Sequence, residues 1–224
     1  MRRIYQLINQ NLISDILSKK SVLSSSAKNP IITISRETGS GGKLIAVLVA
    51  KKLGKPWRVY NKEIVDEIAK QTHLEKKLIA ELDEKHIPFI EELISDFFGN
   101  RYLNLASYHK QLVKILSAIG HRGFAVIVGR GANFLFPDAL KIRIVCEMPQ
   151  RIAWEMQYEK FTLKQAILRI EKSDQNRNAF IKTLFHHDQR KAHHYDLIIR
   201  TGRQISIEDA ADIIVRLAKR MFRF

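Results

Sequence analysis

Ile31-Ile32-Thr33-Ile34-Ser35-Arg36-Glu37-Thr38-Gly39-Ser40-Gly41-Gly42-Lys43 is the stretch on which the fold turns. A short β-rich run ends in a glycine cluster, and a helical pattern then continues to Leu53, stopped by Gly54. Glycines let the backbone reverse tightly and aim its N–H groups inward. The helix N-terminus adds partial positive charge, so the two together make an anion cradle. The plain alternative is an ordinary glycine-rich turn. The strand–loop–helix context favours phosphate binding at Gly39, Ser40, Gly41, Gly42 and Lys43.

The loop departs from the usual G-x-x-x-x-G-K-[ST], in which Lys reaches the β/γ-phosphates and the hydroxyl holds Mg²⁺. Arg36 stands at the first Gly position, Gly42 at the Lys position and Lys43 at the Ser/Thr position. A one-residue bulge would make Lys43 the phosphate lysine, but Leu44 then follows it. Neither register supplies the hydroxyl ligand. Arg36 or Lys43 is left to provide the missing charge, and Ser40 is the nearest hydroxyl.

Outward from the loop, strand and helix signals alternate. Arg58–Tyr60 reads as a second strand, and helical patterns follow through residues 64–97 and 112–119. Phe124–Val128 is a nearly continuous apolar run, as a parallel strand covered on both faces requires. Leu140–Cys146 is a further strand, helices extend to about His187, Tyr195–Ile199 is a strand, and a closing helix spans about Ile207 to Met221. Strands separated by helices mean crossover connections and a parallel sheet. The expected architecture is α/β, with about five parallel strands between helical layers and the strands at Ile31–Ser35 and Phe124–Val128 interior.

Residues 4–17 carry an apolar helical stripe of Ile4, Leu7, Ile8, Leu12 and Ile16, followed by the linker-like Ser24–Pro30. Residues 1–29 therefore read as an N-terminal helical arm, suited to packing on the body or on a second subunit as a homodimer. Residues 30–224 read as the main domain, with a helical region at about 61–122 and a lid at about 160–190.

The 224 residues carry 38 Lys and Arg against 23 Asp and Glu, a net charge of +15. The balance implies anionic partners, whether nucleotides or nucleic acid. With 46% hydrophobic and 27% charged residues the composition is that of a soluble globular chain. No apolar run approaches the roughly 20 residues of a membrane-spanning helix. The single cysteine, Cys146, lies in an apolar run, which fits a buried strand residue and a reducing, cytoplasmic setting. His186-His187-Asp188 and His193-His194 match no structural zinc spacing, so no metal is expected there.

Gly129-Arg130-Gly131 closes the apolar strand, and ligands gather at the carboxyl ends of strands in open α/β sheets. An arginine there can grip a phosphate with both arms of its fork.

These motifs together resemble the cytidylate kinase-like family, a branch of the P-loop nucleoside-monophosphate kinases. The similarity runs from about Ile31 to Leu217 and rests on Ile32–Gly42, on Gly129-Arg130-Gly131-Ala132, and on Tyr195-Asp196-Leu197-Ile198 leading to Ile205-Ser206-Ile207-Glu208-Asp209-Ala210. In that branch Gly in place of the phosphate lysine is usual. True cytidylate kinases carry an acidic residue where this chain has Gly131, and an Asp where it has Asn61. Both departures bear on the cytosine ring, whose C4 amine a carboxylate would accept.

The resemblance implies a three-layer P-loop kinase fold and ATP-dependent phosphorylation of a CMP-like monophosphate or related small phosphoacceptor, with Mg²⁺ arriving on ATP. It also likens Arg169–Arg177 to the Arg/Asp-rich lid that closes over ATP, although Ile170-Glu171 stands where such lids carry Arg-Asp. In that reading Arg36, Lys43 and Arg177 are catalytic. Arg169 and Asp174 join the loop in binding ATP, while Arg130, Arg101 and Asn61 receive the acceptor. The other reading is a nucleotide- or RNA-binding protein that keeps the kinase fold with weakened catalysis.

Overall fold

The computed structural model describes residues 29–70 and 107–223. The N-terminal arm (but for Asn29), Arg101 and the middle of the expected acceptor-binding region lie outside them. The chain divides into two compact units, Met1–Ile31 with Tyr60–Ala125 and Ile32–Val59 with Val126–Phe224.

The second unit holds all but the end residues Ile31, Tyr60 and Ala125 of a five-stranded parallel sheet. Its strands are β1 (Ile31–Arg36), β2 (Arg58–Tyr60), β3 (Ala125–Val128), β4 (Leu140–Cys146) and β5 (Leu197–Thr201), in the order β2-β3-β1-β4-β5. The two apolar runs expected inside the sheet are inside it. Ile32, Ile34, Val126 and Ile127 are fully buried, and such burial contributes about 1.5–3 kcal/mol per large aliphatic side chain. The register of β1 on β4 runs from Ile32 against Leu140 to Arg36 against Ile144. Beyond it the Glu37 N–H still donates to the Ile144 carbonyl at 3.0 Å, which fixes where the loop leaves the sheet.

Two strand boundaries need correction. Phe124 precedes β3 rather than opening it, with φ at 47°. The strand expected at Tyr195–Ile199 begins at Leu197 and continues through Arg200 to Thr201. Tyr195 instead closes a 3₁₀ turn at Ala192–His194, and Asp196 lashes the strand start to Lys141, whose N–H its carboxylate accepts at 2.8 Å. β5 is an edge strand with alternating burial, so its polar residues belong to it as much as its apolar ones.

Five helices of this unit cover or extend the sheet: α1 (Gly42–Leu53), α4 (Ala132–Leu135), α5 (Met148–Glu159), α6 (Leu163–Phe185) and α7 (Ile207–Phe222). Helices α6 and α7 start at capping boxes, Thr162 with Gln165 and Ser206 with Asp209. Each box satisfies end N–H groups that no intrahelical carbonyl can reach. Helix α7 packs on α1, joined by the Lys52–Asp212 ion pair at 2.5 Å and the Trp57–Phe222 ring contact.

In the first unit, α2 (Lys62–Lys70) and α3 (Ser107–Arg122) pack together, with Gln111 donating to the Ala69 carbonyl at 2.8 Å. Asn61 caps α2, its Oδ1 accepting the Ile64 N–H at 2.9 Å. Among the described residues no helix is long and apolar enough to cross a membrane.

Candidate functional site

The loop from Glu37 to Gly41 joins β1 to α1, with Gly41 in the left-handed conformation as the helix cap. The first bond of the helix is Ile45 N–H to the Gly41 carbonyl, 3.0 Å. The N–H groups of Gly42, Lys43 and Leu44 thus have no intrahelical acceptor, which is the general condition of a helix start and the basis of an anion site. Ser40 does not fit the metal-ligand role. It is fully buried, and its hydroxyl donates to the Glu37 carbonyl at 2.8 Å, closing the loop on itself. Among the described residues no group of three or more His, Cys, Asp or Glu could hold a metal ion.

The side chain of Arg36 explains Gly42. A Cβ built at Gly42 would lie 2.6 Å from the Arg36 Cβ and 2.9 Å from its Cγ. A Cβ built at Gly129 would lie 2.0 Å from the Arg36 Nη1. Arg36 therefore lies across the first residue of α1 and ends against the turn that follows β3. It occupies the space a side chain at position 42 would need.

The loop is held by charged groups far away in sequence. Glu37 accepts the Cys146 N–H at 3.0 Å, and its carboxylate lies 3.8 Å from Arg143 Nη2 and 3.7 Å from Arg151 Nη1. Thr38 donates both its N–H and its hydroxyl to Asp174 Oδ1, at 2.9 Å each. The Thr38 carbonyl accepts Arg151 Nε at 2.6 Å, while Arg151 Nη2 pairs with the other oxygen of Asp174. Arg177, one turn after Asp174 on α6, donates to the Arg36 carbonyl at 3.1 Å and lies 3.4 Å from Asp174 Oδ1. Burial pushes the Arg177 guanidinium below its ordinary value; Asp174 opposes this, and Arg151 and Arg169 add to it. A cation so crowded is poised to gain from an added anion.

At the end of β3, Gly129, Arg130 and Gly131 adopt positive φ in succession, 76°, 58° and 73°. The Arg130 guanidinium lies over the Phe180 ring of α6, 5.6 Å from its centroid. A Cβ at Gly131 would fall 2.0 Å from the Phe185 ring, so α6 closes directly on this turn. Phe134 behind it stacks on Phe185 and on His187 and meets His194 edge-on, at centroid distances of 5.5, 4.9 and 5.0 Å. Of the histidines noted in the sequence, His187, His193 and His194 thus join an aromatic cluster, while His186 caps the end of α6.

The structure therefore brings Arg36, the loop glycines, Asp174 and Arg177 together. Lys43 is the second residue of α1 and half-buried. Arg169 is matched elsewhere, pairing with Glu155 at 3.2 Å and lying over Phe161. Asn61 serves as a helix cap in the other unit, and Arg101 lies outside the described residues. Sequence reasoning missed Arg151, Arg143 and the tethering role of Glu37. A usable signal for Arg151 was its place just past the carboxyl end of β4.

A model of the cytidylate kinase-like family matches residues 31–203. The chain belongs to that family. Membership points to a nucleotide kinase-like function. Among solved structures, an uncharacterized protein from Eubacterium ventriosum ATCC 27560 superposes on this cytidylate kinase-like chain with a TM-score of 0.68 at 22% identity, covering 86% of this chain and 99% of its own. It shares the fold. TT1252 from Thermus thermophilus matches at a TM-score of 0.49 and 16% identity over 85% of this chain and 97% of its own, too distant to bear on the reading. A search of curated proteins found no match.

Proposed function

We propose that the protein transfers a phosphoryl group from ATP to a nucleoside monophosphate of the CMP kind, or to a related small phosphoacceptor. The observation that carries this reading is the course of Arg36. Its stem covers Gly42 and its guanidinium reaches the turn after β3, so an arginine fills the space from which the usual lysine is excluded. The loop keeps a cation at the carboxyl edge of the sheet although the lysine is gone.

In this mechanism the backbone N–H groups of Gly39 to Lys43 hold the donor phosphates, with Lys43 beside them. Arg36 and Arg177 stabilise the charge on the transferring group, and Arg130 orients the acceptor phosphate. That phosphate already presents an oxyanion, so no general base is required. Transfer is then a matter of positioning and charge stabilisation. Mg²⁺ enters only as the ion ATP carries, since Ser40 is turned inward.

A coupled assay of the full chain against a panel of nucleoside monophosphates tests the proposal, with transfer to at least one expected. Arg177→Ala should lower kcat by roughly 100-fold, the scale of removing one transition-state donor, while ATP affinity falls much less. Lys43→Ala should weaken ATP binding and turnover together. The burial of Ser40 favours the other reading, a nucleotide- or RNA-binding protein with the same fold. That protein would bind ATP or RNA with steep salt dependence and transfer nothing.

A further inference from the structure

We infer that Arg151 is the positioning residue that holds Arg177 over the loop, by clamping the lid helix through Asp174. The inference rests on the proposed phosphotransfer only for its consequence. The clamp itself is read from geometry.

Arg151 sits in the first turn of α5 and is 7% exposed. Its three guanidinium nitrogens face three different partners. Nε donates to the Thr38 carbonyl of the loop, Nη2 pairs with Asp174 of α6, and Nη1 lies 3.7 Å from Glu37 at the end of β1. A planar fork can serve three partners at once, whereas a lysine offers a single point charge. Asp174 in turn receives both donors of Thr38 and sits beside Arg177. The order of dependence follows. Arg151 fixes the Asp174 carboxylate, the carboxylate fixes that turn of α6, and the turn carries Arg177 to the Arg36 carbonyl. Arg151 needs no contact with a nucleotide to act.

The clamp also accounts for what Asp174 is doing at an anion-binding loop. A carboxylate there would repel phosphates unless matched, and Arg151 and Arg177 flank it. Helix α6 thus brings one anion and one cation to the loop, Asp174 and Arg177, and Arg151 of α5 supplies the second cation.

Amide hydrogen exchange on the full chain, without nucleotide, is the first test. Arg151→Lys keeps the charge against Glu37 and breaks the fork. Amides around Asp174 to Arg177 should then exchange about 10- to 100-fold faster, the equivalent of losing one charge-assisted hydrogen bond. Amides of α7 and of β1 should keep their rates. Thr38→Val, which removes one donor to Asp174 and no charge, should shift the same amides in the same direction by less. Unchanged α6 exchange in either variant would overturn the clamp. Should Arg151→Lys loosen the whole sheet, Thr38→Val alone decides.

The second test separates positioning from mere support. In the Arg177→Ala background, Arg151→Lys should lower kcat no further, because the residue it positions is gone. An equal drop in both backgrounds would make Arg151 a structural residue only. If α6 loosens as expected but the wild type transfers no phosphoryl group, the clamp stands and the proposed reaction falls. If the wild type is active and α6 does not loosen, only the clamp falls.

Discussion

Two glycine-rich turns stand side by side at the carboxyl edge of the sheet, and they are held by opposite means. The turn after β1 is tied by charge. Glu37 and Asp174 receive Arg143, Arg151, Arg177 and the donors of Thr38, from three separate elements. The turn after β3 is set by shape. It runs through three positive φ values and is wedged between the Arg36 guanidinium and the Phe185 ring. A tether of charge can be released and remade when a phosphate arrives. A steric wedge cannot, so the first turn is suited to change with a ligand and the second to hold a fixed shape.

The largest effect should come from testing the wedge. Gly131→Ala places a Cβ 2.0 Å from a ring that already stacks on Phe134, at a φ of 73°. The left-handed conformation costs a non-glycine residue about 1–2 kcal/mol and overpacking adds about 1–3 kcal/mol. Denaturant unfolding should show a loss of that order. A loss under about 0.5 kcal/mol, the range of neutral surface changes, would mean that Phe185 swings away freely and the turn is no more fixed than its neighbour.

The next test moves to the other turn. Gly42→Lys alone restores the usual lysine but drives it into Arg36, an overpacking of about 1–3 kcal/mol that should weaken ATP binding. Arg36→Gly with Gly42→Lys clears the space and restores the first Gly and the Lys of the usual pattern, with Lys43 still at the Ser/Thr position, so ATP binding by calorimetry should return. If the single variant binds ATP as well as the wild type, Arg36 does not occupy the lysine's place. The contrast between a packed and an adaptable turn would then need redrawing.

How much of this was legible in the sequence follows from the same contrast. The ends of β1, α1 and β4 could be read because apolar runs stop at glycines or change period within a few residues. Arg36, Asp174 and Arg177 stood out through a local pattern or a likeness to known lids. Arg151 did not, because its partners are 113 residues back at Thr38 and 23 residues ahead at Asp174. No local rule marks an arginine in the first turn of a helix as a hub. β5 was placed two residues early because its apolar centre was visible but the Asp196 contact that sets its start was not. Asn61 reads as a ligand beside the second strand, yet an Asn before a helical Lys-Glu is equally an N-cap signal, and that is how its Oδ1 is used.

The smallest expected effect concerns acid. The turn after β3 leads into α4, whose Phe134 carries His187 and His194 on its ring, and His193 lies 4.3 Å from His194. Burial holds the His194 imidazole below its ordinary value, and the neighbouring His193, His187 and Lys191 lower it further while Asp188 opposes them. A histidine with a depressed native pKa binds its proton more readily when unfolded. Stability contributed by the neutral ring is therefore present above the ordinary value of 6.5 and is lost as pH falls through the lower native value. Thermal unfolding should show Tm dropping below that pH, and His194→Phe should flatten the drop while keeping a ring against Phe134. The change should be modest, because His194 is only half-buried and solvent screens much of the repulsion. An NMR titration that found His194 at or above 6.5 would remove the acid sensitivity, leaving the β3 turn fixed by shape alone.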